Sequence, residues 1–377
     1  GLGTDTSGSL RVPAALCGVS ALRPTPGRIP TAGVIPLAPS YDTVGPVAAG
    51  PEDLELLFAA LVSDGPLLPV PLDAHAPGAP RRVGVVADLL DRSVCHPAAA
   101  AATADVARRL TALGLESEPV SLPLLAHALE IHARVQLPEA AASVQDLGVS
   151  LDELSPTVRA RYQAGADITH DAHAHAIARR SEIRAAFQAV FEDVDLLLAP
   201  STPCCAPLRD ATTADLGDGR TRERRDALLS CVVPFAQAPL PVLALPARTT
   251  SGLPLGAQLI GAPGTDETLL AVGRWLGETC ASPHPTRHGR AQSSQQTPTP
   301  SIEAHTRGES GSRRRLRCVR PRARTSGHAI SRRLASPSLR RGGLRRTVHA
   351  RPDRTLVTRP MGVRKPSRLL AGAPPGV

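Results

Sequence analysis

Lysine is nearly absent from this 377-residue chain: 43 residues are basic, and Lys365 is the one that is not arginine. Aromatic side chains make up 2%, with one Trp, two Tyr and four Phe, and there is a single Met. Any core therefore has to be built from Leu, Val and Ala. The length suffices for one large or two ordinary domains. No apolar run reaches the roughly 20 residues that a membrane-spanning helix needs, and no charged-then-apolar leader opens the sequence. The expectation is a soluble, cytoplasmic protein without membrane contact. The seven cysteines, at 17, 95, 204, 205, 231, 280 and 318, lack paired metal-ligand spacing. Cys204 and Cys205, being adjacent, also lack the Cys-x-x-Cys geometry of a redox pair. Reduced thiols and no metal are expected.

Charge divides the chain in two. Residues 281–377 hold 22 basic and 3 acidic side chains, whereas residues 1–280 hold 21 basic and 31 acidic ones. A split of this size is a boundary signal, and it sets the expected domains at 1–280 and 281–377. The basic tail is rich in Arg, Ser, Pro, Thr and Gly, with tracts such as SRRRLRCVRPRAR, and contains no Phe, Tyr or Trp. Disorder is the physical expectation. Two readings of it stand open: an arm that binds nucleic acid non-specifically by releasing counterions from phosphates, or an unselected, out-of-frame extension, which arginine in place of lysine throughout would suit.

The acidic part alternates strand and helix signals. VPAALCGVSAL (12–22) suits a short buried helix and turn, and prolines and glycines from Pro24 to Gly33 mark a long irregular segment. EDLELLFAAL (52–61) places apolar residues at 54, 57, 58 and 61, one helix face. After a Pro-rich linker at 66–80 come a Val-rich strand at 83–86, an alanine-rich helix ending before Gly114, and a strand at 115–120. Residues 126–146 and 157–191 read as mainly helical. Residues 194–199 have the unbroken apolar character of a strand buried on both faces, residues 240–248 and 253–261 supply two more strands around a turn at Ser251-Gly252, and 268–277 is a closing helix. The fold class is α/β, a mixed sheet with helices on both sides.

The stretch GTDTSGSLR (3–11) sets two serines among glycines. Such a turn fits a cap for the following helix, with Ser9 as N-cap. It also fits a nucleophile on a tight turn whose backbone N–H groups converge on a developing oxyanion. Spacing alone leaves both open.

The longer stretch GTDTSGSLRVPAALCGVSALRPTPGRIPTAGVIPLAPSYDTVGPVA resembles the core signature of the amidase signature family, serine hydrolases that cleave carboxamides. Gly3-Thr4-Asp5, Gly8-Ser9, Arg11, Pro13-Ala14, Cys17-Gly18, Arg23-Pro24-Thr25, Gly27-Arg28, Gly33, Ser40, Asp42 and Gly45-Pro46 stand in family order. Weaker likeness continues through RRVGVVADLLDRSV, VDLLLAPSTPCCAP and PFAQAPLPVLALPARTTSGLPLGAQLIGAPGTDETLLAVGRWL, to about residue 279.

The resemblance implies an amidase-signature α/β fold with Ser9 as the acyl-enzyme nucleophile. It implies backbone N–H groups of Thr6, Ser7 and Gly8 as the oxyanion hole, Asp5 and Arg11 as supports of the loop, and no organic cofactor. Ser7 stands where the family most often has glycine; a positive φ there would strain a serine by about 1 kcal/mol. A serine hydroxyl needs a base, and the family supplies an upstream lysine relayed through a second serine. Neither precedes Gly1, and Lys365 lies outside the likeness. The expectation is an amidase lacking its N-terminal portion, with little amide hydrolysis by this chain alone. No spacing places His127, His132, His170, His173 or His175 beside Ser9, and the last three lack the acidic or cysteine residues that would complete a metal site. The expected partner is a small-molecule amide, with oligomeric state open. Two alternatives stand: a subunit resembling the glutaminase part of the tRNA-dependent amidotransferases, and a non-catalytic basic protein associated with nucleic acid.

Overall fold

Apolar strand sequences dictate the centre of the molecule. The structure, a computed structural model, describes residues 1–62, 78–247 and 252–278. The basic tail, Cys280, Cys318, most of the Pro-rich linker and Ser251 of the expected turn lie outside the described residues. All described residues belong to one compact unit.

The strands are β1 (Leu2–Thr4), β2 (Ser20–Arg23), β3 (Val44–Ala48), β4 (Arg82–Val86), β5 (Glu116–Val120), β6 (Leu196–Pro200), β7 (Thr213–Gly217), β8 (Arg220–Glu223), β9 (Val242–Ala247) and β10 (Leu255–Gly261). Eight of them form one mixed sheet in the order β1-β3-β2-β9-β10-β6-β4-β5. β4 runs parallel to β5 and β6, and the other pairings are antiparallel. The helices are α1 (Arg11–Cys17), α2 (Pro51–Leu61), α3 (Pro97–Ala112), α4 (Ala128–Asp146), α5 (Pro156–Ala166), α6 (His170–Asp193), α7 (Arg224–Ser230), α8 (Val233–Ala236) and α9 (Asp266–Glu278).

Strand alternation explains why β6 reads as an unbroken apolar run. Leu196 and Leu198 pack with Leu54, Phe58, Val106 and Leu270 of α2, α3 and α9 on one face. Leu197 and Ala199 pack with Ile131, Ile183, Phe187 and Phe235 of α4, α6 and α8 on the other. Every residue of β6 is buried, as a strand covered on both faces requires. The alanine-rich segment is helical as α3: Pro97 occupies its first turn, the His96 side chain accepts from Ala98 N–H, and Gly114 follows at φ 93°. The segment 157–191, read as mainly helical, consists of α5 and α6 separated at residues 167–169, where Thr169 caps α6 by accepting from Ala172 N–H.

Two features depart from the sequence reading. β7 and β8 form a separate hairpin around Asp218-Gly219, both at positive φ. An Asp-Gly pair is a strong hairpin signal, and Ala214 and Leu216 alternate with polar residues along β7, but β8 carries no apolar residue to support the pairing. The short strands β1, β2 and β3 also escape the sequence reading, since Gly, Pro and Ser interrupt their apolar pattern; they bring residues 5–10 to the sheet. Among the described residues no helix is long and apolar enough to cross a membrane.

Candidate active site

β1 ends at Thr4, where its ladder with β3 pairs Thr4 with Val44. Asp5 N–H still donates to Thr43 C=O at 2.8 Å, and the chain then turns away from the sheet over residues 6–10 before α1 begins. Four anchors fix that turn. Thr6 Oγ1 donates to Asp42 Oδ1 at 2.5 Å, while Asp42 Oδ2 accepts from the N–H groups of Leu37 and Ala38. Leu10 N–H donates to Asp5 Oδ2 at 3.3 Å. Gly8, at φ 129°, presses against Val232 so closely that a Cβ would collide with it. Ser7 Oγ lies 2.7 Å from His132 Nε2.

Beneath the turn, Arg11 meets Asp5 through Nε–Oδ2 at 2.9 Å and Nη2–Oδ1 at 3.0 Å, and both side chains are wholly buried. Arg11 Nη1 also donates to Val232 C=O at 2.7 Å and to Gln258 Oε1 at 3.4 Å. Gln258, at the centre of β10, donates to Pro200 C=O and Cys231 C=O. Arg23 adds a second cation, with Nε 3.7 Å from Asp5 Oδ1. Burial alone would push the Asp5 carboxyl up, but the Arg11 and Arg23 charges and the hydrogen bonds from Arg11 and Leu10 bring it below its ordinary value. Burial lowers Arg23 to about 10 against the opposing pull of Asp5.

The two serines of this turn take distinct places. The N-cap alternative for Ser9 is overturned: Leu10 is the N-cap of α1 and no side chain caps the helix. Ser9 is exposed, and its hydroxyl forms no hydrogen bond with any described residue. None of the N–H groups of Thr6, Ser7, Gly8 or Ser9 donates to an acceptor among the described residues. The condition that would strain Ser7 is not met, because the positive φ belongs to Gly8 and Ser7 lies outside the left-handed region.

His132 is the residue that sequence reasoning missed. Nothing in the spacing puts it near Ser9; the fold puts it on Ser7. Periodicity carries a signal of its position, since Ala128, Ile131, His132 and Val135 share the buried stripe of α4. The imidazole meets the Tyr41 ring edge-on, with centroids 4.4 Å apart. The Arg180 guanidinium covers Tyr41 at 3.8 Å, and Tyr41 OH donates to Gln237 Oε1. Burial, reinforced by Arg180 and Arg225, takes His132 down to about 3, so the ring is neutral near pH 7.

A cleft of about 600 Å³ is lined in part by Leu89, Asp91, Leu125, Leu129, Arg222 and Ser230. Neither Ser7 nor Ser9 lines it. Leu129 stands one turn before His132 on α4, and Ser230 two residues before Val232. His170, His173 and His175 sit along the start of α6, and among the described residues no group of three or more His, Cys, Asp or Glu converges as metal ligands do. Burial pushes the Cys95 thiol up to about 12 and Cys204 up to about 11; Cys231 is raised by the same cause. Thiols in this state are poor nucleophiles.

Comparison with known proteins gives a consistent result. The amidase family model matches residues 1–270. A glutamyl-tRNA(Gln) amidotransferase subunit of Roseiflexus sp. (strain RS-1) is 32% identical, over 72% of this chain and 61% of its own length. The 2-amino-5-chloromuconic acid deaminase of Comamonas testosteroni is 31% identical, over 72% and 58%. A crystal structure of an amidase superposes with a TM-score of 0.66 at 32% identity, covering 74% of this chain and 62% of that one. The chain thus spans about three fifths of the length of these relatives. Match extent, identity and fold together show that this chain belongs to the amidase signature family of hydrolases.

Proposed function

We propose that the turn at residues 5–9 is the acyl-transfer centre of a carboxamide hydrolase, with Ser9 as nucleophile. The observation that carries this reading is the run of four backbone N–H groups, Thr6 to Ser9, with no acceptor among the described residues, beside an exposed and unengaged Ser9 hydroxyl. Thr6 and Gly8 are buried residues, where N–H groups are almost always paired, so a run of open ones beside a serine suits an incoming oxyanion. Asp5, Arg11 and Gln258 keep the turn rigid, so little reorganisation is needed as charge develops.

In this mechanism Ser9 Oγ attacks the carbonyl carbon, its proton passes to a base, and the carbonyl oxygen takes negative charge among the N–H groups of Thr6, Ser7 and Gly8. The C–N bond then breaks, the proton goes to the leaving nitrogen, and ammonia or an amine departs. Water attacks the acyl-serine and releases the carboxylate. His132 does not serve as the base: it touches Ser7, and its environment resists protonation. The lysine and relay serine of the family fill that role in the reading.

A second reading is favoured by the relatives named as subunits of a glutamyl-tRNA(Gln) amidotransferase: the same chemistry acting on glutamine within a multi-subunit enzyme. No described residue speaks to the nucleic-acid alternative, which rests on the tail.

An alkylboronic acid tests the site without turnover, because boron becomes tetrahedral when the serine oxygen adds to it and the hydroxyl proton passes to the buffer. Boron-11 NMR of the full chain is expected to show tetrahedral boron, lost in Ser9→Ala. An adduct that survives Ser9→Ala overturns Ser9 as nucleophile. Ammonia release from simple amides against glutamine, in a chain provided with the family's lysine and relay serine, then separates the two readings.

A further inference from the structure

The contact between His132 and Ser7 is built from parts that leave few arrangements. His132 is 2% exposed. Its Nε2 is 2.7 Å from Ser7 Oγ, and its Nδ1 is buried with no hydrogen-bond partner among the described residues. The ring carries a single N–H, because burial first, then Arg180 from α6, Arg225 from α7 and Arg11 below the turn disfavour a second proton, with Asp5 opposing them. A proton on Nδ1 would bury an N–H with no acceptor, an arrangement proteins rarely tolerate. A proton on Nε2 gives that N–H the Ser7 oxygen as acceptor and leaves only a lone pair bare at Nδ1. Ser7 is half-buried, not sealed, and its backbone N–H is one of the four without an acceptor.

We infer that His132 is held as the Nε2–H tautomer and donates to Ser7 Oγ, so that the Ser7 hydroxyl proton is presented to the carbonyl oxygen of an amide bound at the turn. Resting on the acyl-transfer reading above, this adds one side-chain donor to the backbone donors there. Ser7 is then a substrate-contacting residue and His132 its positioning residue. The opposite tautomer would have Ser7 donate its proton to the ring, leaving nothing for the substrate. No bond is made or broken in this step, and the imidazole stays neutral throughout.

Two measurements test the inference. In the full chain labelled with nitrogen-15, long-range proton–nitrogen NMR, with His132 assigned by its loss in His132→Gln, is expected to place the proton-bearing nitrogen at ε2. A proton on δ1 overturns the proposal. Affinity for an alkylboronic acid, whose tetrahedral adduct mimics the oxyanion, is expected to fall about tenfold or more in Ser7→Ala. His132→Leu is expected to fall similarly, and His132→Gln, whose amide N–H reaches the place of Nε2, to retain most of the affinity. If Ser9→Ala abolishes the adduct while Ser7→Ala binds like the unaltered chain, the acyl-transfer reading stands and this inference falls. If the adduct persists in Ser9→Ala, the reading beneath it falls. Should His132→Leu not fold, the NMR result on the unaltered chain still decides the tautomer.

Discussion

Asp5 and Arg11 face each other through two parallel hydrogen bonds, at 2.9 and 3.0 Å, with no solvent exposure on either side chain. A pair of this kind contributes little net stability as a unit, yet removing one partner strands a buried charge. Arg11→Met leaves Asp5 with the Leu10 N–H at 3.3 Å and Arg23 at 3.7 Å, and it also removes the donor to Val232 C=O. Urea unfolding is expected to show a loss of about 3–5 kcal/mol. The double change Asp5→Asn with Arg11→Met is expected to recover part of that loss; equal losses in single and double variants would mean the pair is not what anchors the turn.

Gly8 carries the conformational demand of the turn. Its φ of 129° suits glycine alone, and a Cβ there meets Val232. Gly8→Ala is expected to destabilise by about 2–4 kcal/mol, combining backbone strain with overpacking. Adding Val232→Ala relieves the collision and leaves the backbone strain, so thermal unfolding should recover only partly. Ser7→Gly, at a position with no positive φ, relieves no strain and takes away the partner of the buried His132 Nε2, so a loss of about 1–3 kcal/mol is expected.

Acid should destabilise the fold in a window set by His132. Its pKa falls from an ordinary 6.5 to about 3 on folding, through burial first and then Arg180 and Arg225. The unfolded chain therefore binds a proton below pH 6.5 that the folded chain refuses, and stability declines as pH falls from 6.5 toward 3. At pH 5 the loss is about 2 kcal/mol. Asp5, lowered on folding, acts below the ordinary carboxylate range, so its contribution is lost only at more acidic pH. Denaturation midpoints at pH 7.5, 6 and 5 are expected to decline in the unaltered chain and to flatten in His132→Gln. A slope unchanged by that substitution would assign the acid sensitivity elsewhere.

The long strands and helices are legible because their signals are local. A continuous apolar run marks β6, shorter apolar stretches mark β9 and β10, and the 3.6-residue period with Pro and Gly punctuation marks α2 and α3. The serine turn is legible as a motif, with Ser9, Asp5 and Arg11 all on it. What joins the turn to the rest is not: His132 lies 125 residues from Ser7 and Gln258 lies 247 from Arg11. Both are polar residues within apolar patterns, and that anomaly is the available signal. A pattern shows that such a residue is buried, but only the packed fold shows which partner satisfies it.

Gln258 supplies the last test, because it ties the turn to the sheet. Its amide donates to Pro200 C=O at 2.9 Å and Cys231 C=O at 2.7 Å, and its oxygen accepts from Arg11. Gln258→Leu keeps the volume and leaves two buried carbonyls and one guanidinium nitrogen short of a partner, at a cost of about 1–3 kcal/mol for each group fully unsatisfied. The residue after Cys231 is Val232, the wall against which Gly8 packs. Loss of the Gln258 anchor should therefore loosen the turn before it unfolds the sheet. Hydrogen exchange is expected to quicken at the amides of residues 6–12 and 231–233 while β6 and β9 stay protected. Uniform acceleration across the sheet would show that Gln258 supports the core as a whole and has no particular hold on the turn.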